Sequence, residues 1–311
     1  MLVKSLTAAA VAAVIGGAGI AAAQGPIIEG PLEVSPCVLA ERANPGANVV
    51  PGATENADVL IGTPGDDIIA GGLGNDQLFG RGGHDVLCGG PGADILKPGQ
   101  DDDTVFGEAD ADVVREAGDG ADTIDGGTGG DGIFSGAGDD VIELGDALPD
   151  EGPNFVFSGR GKDDVNGGDG VDILRLGPDG DDATTGPGND DIRGGNGRDV
   201  MNGGIDDDRI DGEVGRDFVS GTDGDDTLLG GPGTDSLLGS DGEDDMFGGP
   251  GVDTLNGNDD ADDVRGNGGD DRSLKGGDGD DRLDGGEGTD LECLGAVAGD
   301  TDDVDRVQNC E

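Results

Sequence analysis

An aspartate recurs every ninth residue through most of this chain, and that spacing leaves few folds open. Residues 221–238 give the unit in its cleanest form: Gly-Thr-Asp-Gly-Asp-Asp-Thr-Leu-Leu, then Gly-Gly-Pro-Gly-Thr-Asp-Ser-Leu-Leu. Both fit Gly-Gly-x-Gly-x-Asp-x-U-x, with U a large apolar residue. Numbering the unit 1 to 9, position 6 is filled by Asp58, Asp67, Asp76, Asp85, Asp94, Asp103 and Asp112. After one extra residue come Asp122, Asp131 and Asp140. Five more residues, 144–148, interrupt the count. It resumes at Asn154 and continues through Asp163, Asp172, Asp181, Asp190, Asp199, Asp208, Asp217, Asp226, Asp235, Asp244, Asp253, Asp262 and Asp271. A second one-residue slip leads to Asp281 and Asp290, making 26 units over residues 53–293.

Position 8 confirms the frame independently. Leu60, Ile69, Leu78 and Leu87 begin a series of apolar residues that runs to Val264, stumbles at Ser273, resumes at Leu283 and ends at Glu292. A low-complexity acidic tract does not keep one apolar residue in phase with its aspartates. Glycine reaches positive φ without steric cost, so Gly at positions 1, 2 and 4 predicts a tight turn with exposed carbonyls. Positions 7–9 then predict a three-residue strand, with position 8 on one face and positions 7 and 9 on the other. Two units make one flattened coil. Stacked coils bury position 8 between two parallel sheets and align carboxylates and turn carbonyls along each edge. Such files of hard oxygen donors suit Ca²⁺.

The pattern resembles the RTX (hemolysin-type) calcium-binding repeats, over about three quarters of the chain. The resemblance implies an all-β fold, a parallel β-roll (β-helix solenoid) of nonapeptide repeats with short caps. It also implies ions between the turns of neighbouring coils, held by turn carbonyls and by the aspartates from Asp58 to Asp290 named above. Pro98-Gly99, Glu116-Ala117, Pro149-Asp150 and Asn154 depart from the pattern. Register breaks are therefore expected near 116–125, 144–148 and 266–275.

Seventy acidic residues against 17 basic ones give a net charge of −53, and 69 residues are glycine, so the chain is expected to need cations to become compact. That charge also excludes nucleic acid as a partner. Residues 1–23 read as a secretory signal peptide: Lys4, an apolar stretch, then Ala21-Ala22-Ala23 as the cleavage site. No membrane span is expected after its removal, and the expected location is extracellular. Residues 24–52 carry no repeat, and Pro26, Pro31, Pro36, Pro45 and Pro51 deny a long helix. This segment reads as an N-terminal cap or linker, and residues 294–311 as a C-terminal cap, with Asp305-Arg306-Val307 imitating positions 6–8.

Four cysteines allow three pairings. The sequence-local ones, Cys37 with Cys88 and Cys293 with Cys310, would each pin a cap to its end, with Cys88 and Cys293 at outward position 9. No H-E-x-x-H or G-x-S-x-G motif occurs, and the one histidine, His84, sits in a turn, so catalysis is not expected. Of the outward phenylalanines, Phe79, Phe134, Phe155, Phe157 and Phe247 fall on one face. That patch supports an alternative, adhesion or self-assembly on a calcium-stabilised scaffold. A regular Thr or Asn array of the kind that would bind ice is absent.

Overall fold

The structure, a computed structural model, describes residues 36–43, 46–115, 118–145, 152–294 and 306–310. The expected signal peptide lies outside the described residues. So do Leu32 and Val34 of the expected cap, Asp305, and residues 116–117 of the first slip.

From residue 48 onward the chain winds through two 14-stranded parallel sheets. Successive strands alternate between them, and each pairs with the strand one coil away. The first sheet runs from Asn48–Val50 to Cys293–Leu294, the second from Val59–Ile61 to Arg306–Gln308. Position 8 is in register throughout. In the second sheet Leu60 pairs with Leu78, Leu78 with Leu96, and the column ends with Leu283 against Val307. Between the sheets these side chains form one continuous core, almost all wholly buried from Ile69 to Leu283.

The strands are longer than three residues in most coils. Gln77–Gly82 and Asp245–Pro250 run from position 7 through position 3 of the next unit. The reason is that the inward-outward alternation does not stop at position 9: positions 6, 8 and 1 are all buried. The chain turns after that, with positive φ at positions 2 and 4, as at Gly72 (97°) and Gly74 (113°). Position 1 has no positive φ at any of its glycines. Glycine there is not demanded by the turn, contrary to the sequence-based expectation.

The register breaks also differ from the count. Leu144 is wholly buried in the core, and Gly145 (φ 74°) stacks between Gly127 and Gly168, both at position 2. Residues 144 and 145 therefore remain on the coil as positions 1 and 2, and the extra residues fall within 146–151, outside the described residues. At the last slip, Arg272 N–H donates to the Asp253 carbonyl while Ser273 pairs with Thr254 and Leu274 with Leu255. This is a β-bulge. The next coil copies it: Leu291 N–H donates to the Asp271 carbonyl, and Cys293 pairs with Leu274. Cys293 thus takes the inward position-8 slot and packs against the core, where the count had it facing outward at position 9.

Both disulfides form as paired in the sequence reading, Cys37–Cys88 and Cys293–Cys310. Pro36 opens a helix, Pro36–Ala43, where its missing N–H is not needed. Cys37 on that helix meets Ile68 and Cys88 on the outer face of the first sheet, burying all three.

Candidate metal centre

The position-6 aspartates stand in two files, one on each edge of the roll. In both, the N–H of one aspartate donates to Oδ1 of the aspartate one coil on. Asp76 N–H reaches Asp94 Oδ1 at 2.6 Å, Asp199 reaches Asp217 at 2.9 Å, and Asp235 reaches Asp253 at 2.8 Å. The link persists across every register break, as from Asp140 to Asp163 and from Asp271 to Asp290. All the expected aspartates from Asp67 to Asp290 are buried, and Asp58 at the N-terminal end is half-buried.

The second oxygen is the informative one. Oδ2 of Asp76, Asp94, Asp199, Asp217, Asp235, Asp253 and most of their equivalents is buried and has no hydrogen-bond partner. Asp58 and Asp67, first in their files, differ. Their Oδ2 atoms accept from the N–H and hydroxyl of Thr54 and Thr63, respectively.

Oδ2 points into a space lined by position 1. A Cβ added to Gly71 would lie 2.6 Å from Asp76 Oδ2 and 2.6 Å from the carbonyl oxygen of Gly89, which is position 1 of the next coil on that edge. The corresponding distances at Gly212 are 2.8 Å to Asp217 Oδ2 and 2.6 Å to the Gly230 carbonyl. Since the backbone at these glycines is ordinary, what excludes a side chain is this cradle between a carboxylate and a carbonyl.

Removing so many carboxylates from water has an electrostatic cost. Burial pushes the carboxyls of Asp103, Asp181, Asp217, Asp244 and Asp253 up to about 7. It pushes Asp208 and Asp262 to about 8 and Asp112 to about 9. The N–H from the preceding coil pulls each of them down, and neighbouring aspartates of the file push them back up. Strands in such a stack are spaced about 4.8 Å apart, so a fully ionised file brings like charges together in a poorly solvated place. A divalent cation answers both the desolvation and the repulsion. The donors converging on the cradle are oxygens, as Ca²⁺ requires. Among the described residues no three His, Cys, Asp or Glu side chains gather as a self-contained metal cluster. A cation here would depend on backbone carbonyls as well as carboxylates, and the cradle supplies both.

Sequence reasoning located the carboxylates but missed the role of position 1. The signal was present: glycine is commoner there than the turn needs. The other expected elements sit apart from the cradles. His84 lies exposed in a turn, with Nδ1 2.9 Å from the Asp102 carbonyl oxygen. Phe79, Phe134, Phe155, Phe157 and Phe247 all lie on strands of the second sheet.

The family model described as RTX calcium-binding nonapeptide repeat (4 copies) matches residues 53–87, 61–96, 89–115, 116–146, 150–182, 184–219, 220–255, 238–272 and 256–292. No curated protein matches the chain. Among solved structures it is similar to a hyperactive, Ca²⁺-dependent, beta-helical antifreeze protein from an Antarctic bacterium. The identity is 22%, with 82% of this chain and 83% of that chain covered and a TM-score of 0.33. With its ninefold phase matched along nearly the whole roll, the chain belongs to the RTX calcium-binding nonapeptide repeat family.

Proposed function

We propose that this chain is a secreted, non-catalytic protein that folds on binding calcium along both edges of the roll. The ligands are the position-6 carboxylates from Asp58 to Asp290, acting with position-1 carbonyls of the neighbouring coil. The observation that carries this reading is the buried Oδ2 without a partner, repeated coil after coil, facing a carbonyl across a glycine whose backbone does not call for glycine. The bound ion supplies positive charge between coils. The chain supplies the oxygens, the Oδ1 hydrogen bonds that orient each carboxylate, and an apolar core that excludes water. Because binding requires the folded coils, calcium stabilises them by mass action, at extracellular levels of about 10⁻⁴–10⁻³ M.

Secretion is supported by the leader-like residues 1–23 and by two disulfides, which persist in oxidising compartments. The non-catalytic reading is supported by the sequence, which has neither an H-E-x-x-H nor a G-x-S-x-G motif and a single histidine, His84, in a turn. Circular dichroism with and without chelator, together with ion counting by native mass spectrometry, tests the proposal. Gain of β signal on adding calcium, with many ions bound, is expected. A full β spectrum after chelation would sink it.

A second reading, adhesion or self-association, is favoured by one face. The outward residues of the second sheet from Val59 to Arg175 include Lys97, Arg115 and Arg175 but no carboxylate, on a chain of net charge −53. The exposed rings of Phe134 and Phe157 stack there with centroids 5.1 Å apart, beneath the Arg115 guanidinium. Light scattering at millimolar calcium, comparing wild type with Phe134→Ser/Phe157→Ser, tests it: loss of association in the variant supports it, and a monomeric wild type refutes self-association.

A further inference from the structure

Eighteen glycines among the described residues stand at position 1 with their own unit's aspartate Oδ2 beside the space a Cβ would take. Where position 1 is not glycine, the chain's own side chain enters that space. Ser135 Oγ donates to the Ser158 carbonyl at 2.6 Å, and Ser158 Oγ donates to the Leu176 carbonyl at 2.7 Å. Thr185 Oγ1 donates to the Gly203 carbonyl. Each acceptor is the position-1 carbonyl one coil on, the same oxygen that faces Oδ2 at a glycine site. Leu144 and Leu176 put wholly buried isobutyl groups at the equivalent points.

These five substitutions fall within six successive units, those whose position-6 residues are Asp140, Asn154, Asp163, Asp172, Asp181 and Asp190; outside that run the described non-glycines at position 1 are Ala53 and Pro98. The single glycine in that run is Gly167, and the Thr185 Cγ2 methyl reaches to 3.1 Å from the point its Cβ would occupy. The one neutral residue at position 6, Asn154, shares a unit with Leu144. An apolar group in the cradle and an amide in place of the carboxylate belong together where no cation is to be held. From Gly194 to Gly285, by contrast, every unit has glycine at position 1.

The same span also holds contacts that need no metal, as other parts of the roll do at Arg265–Asp263 and Lys97–Phe79. Besides the Phe134–Phe157 stack, Arg175 Nη2 pairs with Asp191 Oδ2 at 2.9 Å while Nη1 donates to the Leu174 carbonyl at 2.8 Å. The four seven-residue strands start here, with Asn154–Arg160, Asp172–Pro178 and Asp191–Gly197, and end just beyond at Arg209–Gly215.

We propose that residues 132–145 and 152–193 form a metal-free clasp in which hydroxyls and leucines do between coils what ions do elsewhere, so that Asp140, Asp163, Asp172, Asp181 and Asp190 drop out of the ligand set given above. The clasp acquires structure before calcium binds, and the ion-dependent coils extend from it on both sides. The inference rests on the calcium reading above. In a solenoid each coil is stabilised mainly by its neighbour, so a segment with its inter-coil links built in is the natural nucleus.

Hydrogen exchange of the full chain, read by mass spectrometry in chelator, tests it without a variant. Protection in Asn154–Arg160 and Asp172–Pro178 at least tenfold above that in 194–290 is expected, with calcium raising the latter. Equal loss of protection in both regions overturns the clasp. Ion counting on Ser135→Gly/Ser158→Gly gives a second readout: a rise of up to two ions over wild type supports the clasp, and an unchanged count on a folded variant overturns it. A wild-type chain that binds no calcium overturns the calcium reading itself, whereas one that binds calcium yet loses protection evenly overturns only the clasp.

Discussion

Asn154 Nδ2 donates to Asp172 Oδ1 at 2.9 Å, a bond that aspartate at 154 could not make. Elsewhere in the files the backbone N–H of position 6 serves that acceptor. Here the Asn154 N–H turns to the Val171 carbonyl, and the side-chain amide carries the link instead. Asn154→Asp should therefore remove a donor and bury a second carboxylate beside Asp172, in a unit whose cradle holds Leu144. The expected cost is about 2–3 kcal/mol. Denaturant unfolding at saturating calcium measures it, and a variant as stable as wild type would show that the amide is dispensable.

Position within a file sets the cost of losing a carboxylate. Asp226 is buried and accepts from Asp208 N–H on one side while donating to Asp244 on the other. Asp58 is half-buried at an end, with Oδ2 already served by Thr54. Asp226→Ala should raise the calcium midpoint of folding on the order of fivefold, equivalent to ~1 kcal/mol, and Asp58→Ala much less. Equal shifts in a calcium titration would argue against coupling between neighbouring coils.

Protons and calcium should compete. The folded carboxyls lie at about 6 for Asp85 and Asp94 and reach about 9 for Asp112, against an unfolded value near 4. The folded form thus binds protons more tightly than the unfolded form. Without metal, the roll is most stable in acid and loses stability as pH rises through that range. Calcium must displace those protons, so binding should release protons and tighten with pH. Circular dichroism of the chelated chain should show more β structure at about pH 5 than at about pH 8. The opposite order would contradict the assignment of burial as the dominant influence.

The two glycines of a turn should fail differently. Alanine at Gly230 keeps an ordinary backbone but puts a methyl 2.6 Å from the Gly248 carbonyl and 2.9 Å from Asp235 Oδ2. Alanine at Gly231 must adopt φ 88°, which costs an L residue about 1–2 kcal/mol. Gly230→Ala is expected to bind one ion fewer. Gly231→Ala is expected to keep the count and unfold at a lower temperature. Native mass spectrometry and thermal melts separate the two outcomes, and the same ion count in both variants would deny position 1 its role.

Much of this architecture could be read from Asp58 onward because two residues per unit carry most of the constraint. The aspartate marks the turn, and the position-8 residue marks the inner face. What could not be read lies where those two signals are silent. Counting aspartates assigns residues 144–148 to an insertion, but only packing reveals that Leu144 is core. The count ends at Asp290, so it cannot see that the bulge beside Arg272 is passed to Leu291 and turns Cys293 inward. Glycine at position 1 looks like any other turn glycine until its φ separates it from Gly72 and Gly74. The hydroxyls of Ser135 and Ser158 lie 23 residues apart, too far in sequence for a local pattern to link them.

Because consecutive nonapeptides go to opposite sheets, the natural quantum of length change in this protein is a pair of units. Excising eighteen residues shortens the stack and leaves each remaining side chain on its original side. Excising nine would swap left and right for everything downstream, sending the aromatic strip across to the other side at the cut, while Cys293 and the strand that Cys310 follows would change sides together and keep their pairing. Natural length variants should therefore differ in steps of two repeats, or else carry a compensating single repeat elsewhere in the roll.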